Sequence, residues 1–156
     1  MMKKHDFQCK IDWCGNLGTG TSAYHEYSRD HLLNQDHKYS SIQCSSDPIF
    51  RGDKTKYNPE EFFIASVASC HMLWYLHLCA DRGVVVIDYQ DEVSAELILN
   101  EDGSGKIHNI VLKPQIKITN AKDIELAHSL HQEAHRFCFI AASVNCNIEI
   151  RSNIFI

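Results

Sequence analysis

The longest apolar segment of the chain is predicted to form a helix. It begins in the stretch NPEEFFIASVASCH, residues 58–71. Asn58 is a preferred N-cap residue, Pro59 suits the first helical position, and two glutamates follow in the first turn, where the helix dipole favours anions. The helix is expected to continue to about Arg82 and to stop at Gly83. Because apolar residues lie on nearly every side, we expect it to be buried and enclosed by a sheet and a second helix or subunit.

The segment before this helix is predicted to be mostly strand and loop. Residues 7–13 alternate weakly and indicate a first strand, and the glycine-rich stretch GNLGTGTSAY predicts a turn into a second strand through Tyr24 and Tyr27. Short strands are expected near residues 31–33 and 39–43. The GTG triplet lacks the third glycine and the following helix of a dinucleotide site, so it is interpreted as a turn.

The segment after the helix predicts a hairpin, a second helix and a closing strand. Residues 84–99 are rich in β-formers, and residues 106–118 alternate with period two after a GSG turn, which indicates an antiparallel hairpin. Asn120 is expected to cap a helix over residues 121–137, and residues 145–156 close the chain as a strand. The order of elements predicts an α+β fold with antiparallel sheets packed on the long central helix.

Size and charge set limits on the function. The 156 residues fit a single domain, residues 1–156, and the 44% hydrophobic and 22% charged fractions are ordinary for a globular protein. The net charge is −5 and the basic residues are scattered, so no nucleic-acid partner is expected. We expect no signal peptide and no membrane span, since no apolar run approaches the roughly 20 residues that a membrane helix needs, and therefore a cytoplasmic location.

The seven cysteines are expected to be thiols. Their number is odd and their spacing irregular, which argues against a structural disulfide framework. Cys70 lies inside the central helix and Cys138 at the end of the second helix, and by local sequence each is interpreted as a buried, inert thiol. If the two helices pack together, these cysteines form a thiol–disulfide pair, provided that their Cα atoms come within about 7 Å.

Three histidines offer an alternative chemistry. His128, His131 and His135 are spaced so that they share one face of the second helix, and such a stripe can bind zinc or a similar metal. A polar outer helix face explains the same residues, so no metal ligand and no cofactor is assigned. A hydrolase is not supported, because the chain has no GxSxG motif and His135 with Cys138 is an unusual local dyad.

Two motifs carry a resemblance to a known family. The stretches NPEEFFIASVASCH and AHRFCFIAAS resemble the OsmC/Ohr proteins, which are osmotically induced and organic-hydroperoxide-resistance proteins. Asn58, Pro59, Glu60 and Cys70 match the first motif at its expected spacing, and Cys138 matches the second cysteine. The order of elements and the GNLGTG turn also fit, so the resemblance spans nearly the whole chain. Phe139 departs from the family, whose second cysteine is often followed by proline.

The resemblance implies a thiol-dependent peroxidase. Cys70 would be the peroxidatic thiolate, held by an arginine that pairs with Glu60, and Arg51 and Arg29 are both candidates for that arginine. The thiolate would attack a peroxide and become a sulfenic acid, which condenses with Cys138 to a disulfide. An external dithiol would then reduce the disulfide, and no cofactor is implied.

The resemblance also implies an OsmC-like intertwined homodimer and an apolar site. Four aromatic residues would line a pocket that favours organic peroxides, although a plain core explains them equally: Phe62, Phe63, Trp74 and Phe139. Two other classes stay open. The chain is alternatively a non-catalytic redox sensor or small-molecule binder on the same scaffold, or a metal-binding protein that uses the histidine stripe.

Overall fold

The computed structural model describes residues 3–156, and the chain divides into two compact units. The first unit extends to Phe62 and contains a three-stranded antiparallel sheet in the order β1-β2-β3. The strands are β1 (Lys10–Trp13), β2 (His31–Asn34) and β3 (Ile42–Cys44). A single 3-10 turn, Pro48–Phe50, follows them. These strands confirm three of the predicted segments, although their ends differ from the predicted ones.

The strand predicted through Tyr24 and Tyr27 is wrong. The Asn16 side-chain oxygen accepts hydrogen bonds from the backbone N–H groups of Gly18 and Gly20, at 2.9 and 3.0 Å. Tyr27 makes only an isolated bridge to Asn16. Asparagine side chains compete with strand pairing by bonding to nearby backbone in this way. The segment is therefore a turn that returns the chain directly to β2.

The central helix, α1 (Pro59–Asp81), begins as the sequence predicts. Asn58 Oδ1 accepts from the backbone N–H of Glu61 at 2.8 Å, and the Glu61 carboxylate accepts from the backbone N–H of Asn58 at 3.0 Å. This reciprocal pair is a capping box, which satisfies two helix-end donors. Gly83 ends the helix in the left-handed region, with φ 75°, where glycine carries no Cβ penalty.

The second unit, Phe63–Ile156, contains two mixed sheets. Their strand orders are β4-β7-β9 and β5-β6-β8. The strands are β4 (Val86–Asp91), β5 (Ser94–Leu99), β6 (Gly105–Leu112), β7 (Pro114–Ile118), β8 (Asn147–Ile150) and β9 (Asn153–Phe155). The antiparallel pairs β5–β6 and β4–β7 confirm the predicted pairing direction, whereas β6–β8 and β7–β9 are parallel.

The long predicted strands are each divided between the two sheets. The Asp91 carboxylate accepts the backbone N–H of Lys113 at 2.7 Å, at the point where β6 ends and β7 begins. The closing segment divides in the same way at Arg151, whose backbone N–H donates a hydrogen bond to the Leu112 carbonyl at 2.8 Å. The prediction of a single hairpin and a single closing strand is therefore wrong, because each of these strands is divided in two. The predicted α+β class is confirmed.

Helix α2 (Ile124–Phe137) packs against α1 over the β4-β7-β9 sheet. It follows a 3-10 turn, Ala121–Asp123, in which Asn120 Oδ1 accepts from the backbone N–H of Lys122. A short helix, α3 (Phe139–Ser143), continues directly after Cys138. The shared core of the two long helices and the sheet contains mainly small and aliphatic residues, together with one tyrosine: Tyr75, Leu78, Val84, Ile116, Ile118, Ala127, Leu130 and Ala134.

Helix α1 is less enclosed than its composition predicts. Leu73 is 61% exposed, and several further apolar positions of the helix are only half-buried. By length and composition alone the helix would pass as a membrane span, as core helices of soluble proteins also do. The expectation that no apolar run approaches the length of a membrane span is therefore wrong, because the interspersed serines and histidines do not lower the mean hydropathy of the helix enough.

Candidate redox-active cysteine pair

The two cysteines of the sequence motifs lie on packed elements of the second unit. Cys70 is half-buried near the middle of α1. Cys138 is fully buried at the junction of α2 and α3, where it ends one helix and caps the next. Its Sγ accepts the backbone N–H of Ala141 at 3.3 Å, and its own N–H donates to the Ala134 carbonyl at 3.0 Å. The backbone therefore fixes the position of the Cys138 sulfur.

The structure places the Cys70 and Cys138 side chains next to each other, and both are free thiols. Burial and, to a smaller extent, the neighbouring Cys70 thiol raise the pKa of Cys138 to about 11. Cys138 is consequently protonated at neutral pH, and it is the inner of the two sulfurs. Cys70 is the one with exposed surface, so a small molecule reaches it first.

An aromatic cluster adjoins the sulfur pair. Trp74 lies one turn after Cys70 on α1. Its ring stacks on Phe137 with centroids 5.0 Å apart and meets Phe139 edge-on at 5.7 Å. Phe137 and Phe139 flank Cys138 in the sequence, and Phe139 is 71% exposed. The arrangement places an apolar surface beside the thiols.

Two of the four predicted aromatic residues belong to this cluster and two do not. Trp74 and Phe139 form it, with Phe137 as a member that the sequence prediction missed. Phe63 packs against the buried core around Val67. Phe62 pairs with the Tyr57 ring at 5.6 Å within the first unit.

The three predicted supporting residues lie in the first unit. Arg29 donates to the Tyr24 carbonyl at 2.7 Å, and its guanidinium lies 4.2 Å from the ring centroids of both Tyr24 and Tyr27. Arg51 is exposed and adopts a left-handed backbone, with φ 68°, at the end of the 3-10 turn. Glu60 is half-buried in the first turn of α1, whereas Glu61 makes the capping box.

A buried histidine pair joins α1 and α2 next to the cysteines. His71 Nε2 and His131 Nδ1 are 2.9 Å apart. Burial lowers the pKa of His71 to about 4 and that of His131 to about 3, and nearby histidines act in the same direction. Both imidazoles are therefore neutral at neutral pH, and one donates a hydrogen bond to the other.

This pair corrects the prediction of a histidine stripe on one outer face of the helix. His131 points into the core, while His128 and His135 are exposed, and His128 Nδ1 lies 3.3 Å from the Ser152 hydroxyl. Among residues 3–156 no group of three or more His, Cys, Asp or Glu side chains is placed to hold a metal ion. The spacing of the three histidines predicted their angular positions on the helix but not the side of the helix that packs.

The inward position of His131 leaves a signal in the sequence. Ala127, Ala134 and Cys138 lie four residues before it and three and seven residues after it, which is the spacing of one helix face. All four are buried, so this stripe is the packed face of α2. The stripe of small residues predicts the packed face of α2 better than the histidine spacing does, because a helix packs closely through small side chains.

The comparisons with known proteins agree with this geometry. The OsmC-like protein family profile matches residues 52–153. An OsmC-like protein of unknown function from Vibrio cholerae is 28% identical, with a TM-score of 0.80, and the match covers 99% of this chain and 100% of the other. No curated protein matches the chain by sequence.

Two organic hydroperoxide resistance proteins share the fold. The one from Elizabethkingia anophelis, with thiocyanate bound, has a TM-score of 0.69 at 15% identity, and the match covers 99% of this chain and 98% of the other. The one from Bacillus subtilis has a TM-score of 0.61 at 21% identity, with 96% and 98% covered. At these identities the likeness extends to the fold alone.

Proposed function

This chain belongs to the OsmC-like protein family, and from that premise we propose that it is a thiol-dependent peroxidase that reduces organic hydroperoxides. The observation that carries the proposal is that the half-buried Cys70 thiol and the fully buried Cys138 thiol are neighbours. Two organic hydroperoxide resistance proteins share the fold, which supports the same chemistry. A single OsmC-like domain over residues 1–156 belongs to the proposal, since these matches cover nearly all of the chain.

The reaction has two steps within the protein. The Cys70 thiolate attacks the terminal peroxide oxygen, the O–O bond breaks, and the alkoxide leaves with a proton as the alcohol. The Cys138 sulfur then attacks the Cys70 sulfenic acid, an S–S bond forms, and the hydroxyl leaves as water. The sum converts two thiols and one hydroperoxide into a disulfide, an alcohol and water.

An external dithiol closes the cycle. Its two thiols reduce the Cys70–Cys138 disulfide by exchange and become a disulfide themselves. Such a cycle requires a reducing compartment, so we place the protein in the cytoplasm. All seven cysteines are free in the structure, which fits that location.

The aromatic cluster and an arginine complete the proposed site. Trp74 and Phe139 offer an apolar surface to the organic group of the peroxide. The family resemblance implies an arginine that holds the Cys70 thiolate and pairs with Glu60, since a guanidinium stays charged and stabilises a thiolate. Arg29 and Arg51 stay alternatives for that role.

Peroxide consumption tests the proposal. The purified chain, supplied with dithiothreitol, is expected to consume cumene hydroperoxide catalytically, over many equivalents. Replacing the activating arginine with methionine (R29M or R51M) is expected to slow Cys70 oxidation by about 10²-fold, as for loss of one charge-stabilising donor. The other variant should match the wild type. Consumption that stops at one equivalent would instead identify a redox sensor, and two unaffected arginine variants would remove the arginine from the mechanism.

We also propose that the chain forms a homodimer. Leu73 on α1 and Ile87 on β4 are 61% and 57% exposed, and large exposed apolar side chains on one unit favour association. A second copy of the chain would cover them. Light scattering on the purified protein is expected to give twice the 17.9 kDa chain mass; a monomer mass at micromolar concentration would contradict the dimer.

A further inference from the structure

A second contact joins the two helices that carry the sulfur pair. His71 directly follows Cys70 on α1, and His131 lies two turns before Cys138 on α2. The 2.9 Å contact between His71 Nε2 and His131 Nδ1 therefore connects the two elements on which the neighbouring thiols lie. Any change in the spacing of these helices changes both the histidine contact and the approach of the two sulfurs.

The histidine contact is buried and held in one geometry. His71 is 1% exposed and His131 is 5% exposed. Their rings lie within 6° of parallel with centroids 5.2 Å apart, as expected for coplanar imidazoles joined edge to edge by a hydrogen bond. The Tyr75 ring stacks on His131 at 4.2 Å and 15°, which fixes the plane of the His131 ring.

Burying the two histidines in the core costs free energy of folding. A neutral imidazole has one donor and one acceptor nitrogen. In the part of the chain that the structure describes, His71 Nδ1 and His131 Nε2 have no hydrogen-bond partner. A buried polar atom without a partner costs free energy, whereas apolar residues of similar shape would not. What the pair provides instead is one directional contact between α1 and α2, and this points to a geometric role.

We propose that the His71–His131 hydrogen bond is a positioning contact, which sets how closely the Cys138 sulfur approaches the Cys70 sulfur. Disulfide closure depends on this approach, because orientation converts an encounter of two thiols into an intramolecular step. The inference rests on the proposed function only in that Cys70 and Cys138 form a disulfide. Neither histidine acts on the peroxide itself.

Glutathione exchange measures the approach of the two thiols without any peroxide. The Cys70–Cys138 disulfide and two glutathione thiols give two protein thiols and one glutathione disulfide, so bonds, electrons and protons balance. The equilibrium constant of this exchange defines the effective concentration of the two protein thiols. A chain that forms the disulfide but ignores peroxides fails the proposed function and leaves this measurement intact.

Replacing His131 with leucine (H131L) is expected to lower the effective concentration at least tenfold. A tenfold loss equals a reduction potential about 30 mV less negative. Replacing it with asparagine (H131N), whose amide occupies the Nδ1 position, is expected to restore the wild-type value. Replacing the exposed His128 with leucine (H128L) makes the same chemical change on the same helix and should leave the potential unchanged.

A second comparison covers the case in which H131L does not fold. Glutamine at His131 (H131Q) places its amide near the Nε2 position and away from His71, so H131N is expected to exceed H131Q in effective concentration. Equal potentials for H131N, H131Q and the wild type, with only the melting temperature lowered, would show that the pair is structural and would overturn the proposal.

Discussion

Replacing Cys70 with serine (C70S) is expected to abolish peroxide consumption, with a loss of about 10³-fold or more, because removal of the nucleophile leaves only binding. Serine has nearly the same size but does not form a thiolate at neutral pH, so it does not attack the O–O bond. Cys70 is the partner with exposed surface, whereas Cys138 is fully buried. Cys138, the other thiol of the sulfur pair, is therefore not placed to replace Cys70.

The matched control is Cys146, which is also half-buried and lies in the same unit. Serine at Cys146 (C146S) makes the same atomic change at a thiol that is not a member of the sulfur pair and is expected to retain the wild-type rate. The measurement is the loss of cumene hydroperoxide in the presence of dithiothreitol, with folding checked by circular dichroism. Wild-type activity in C70S, or an equal loss in C146S, would contradict the assignment of Cys70 as the peroxidatic residue.

Local sequence was sufficient for the features that depend on a few neighbouring residues. The start of α1 is an example, because Asn58 and Glu61 form a capping box from positions three apart in the chain. The stop at Gly83 is another, since a left-handed residue ends the helix there. The family resemblance added what local sequence does not contain, namely that Cys70 and Cys138 are neighbours in the fold.

Non-local pairing explains the errors in the strands. Residues 84–99 and 106–118 are rich in β-formers throughout, so propensity alone gives two long strands. The break at Lys113 depends on the Asp91 carboxylate, 22 residues earlier in the chain. The parallel partners β8 and β9 come from the end of the chain. Neither contact is visible in a sequence window.

The histidines show a different limit. Spacing places His128, His131 and His135 on one side of α2, but only the packing partner decides which of them is buried. The partner is His71, 60 residues away in the sequence. His71, a polar residue within the apolar part of α1, was therefore the sign of a polar counterpart, and the buried stripe of α2 contained that counterpart.

Replacing Cys138 with serine (C138S) is expected to leave the first reaction with peroxide intact and to impair the later turnovers. Cys70 still reacts with the first equivalent of hydroperoxide at close to the wild-type rate, because Cys138 acts only after the O–O bond has broken. The sulfenic acid then has no resolving sulfur and is oxidised further to the sulfinic acid, which dithiols do not reduce. Steady-state consumption at limiting dithiol is expected to fall by about 10²-fold or more, which is the scale of a lost intramolecular step.

Mass spectrometry of C138S after several equivalents of peroxide is expected to show two added oxygen atoms on Cys70, whereas the wild type shows the Cys70–Cys138 disulfide.

In the wild type, the rate at which the Cys70–Cys138 disulfide closes is expected to rise with pH. Because burial raises the pKa of Cys138 to about 11, its thiolate fraction rises about tenfold per pH unit between pH 7 and 9. A closure rate that is flat over this range would show that Cys138 does not attack as a thiolate. Sustained turnover by C138S without sulfinic acid would show that an external thiol resolves Cys70 directly, and Cys138 would leave the mechanism.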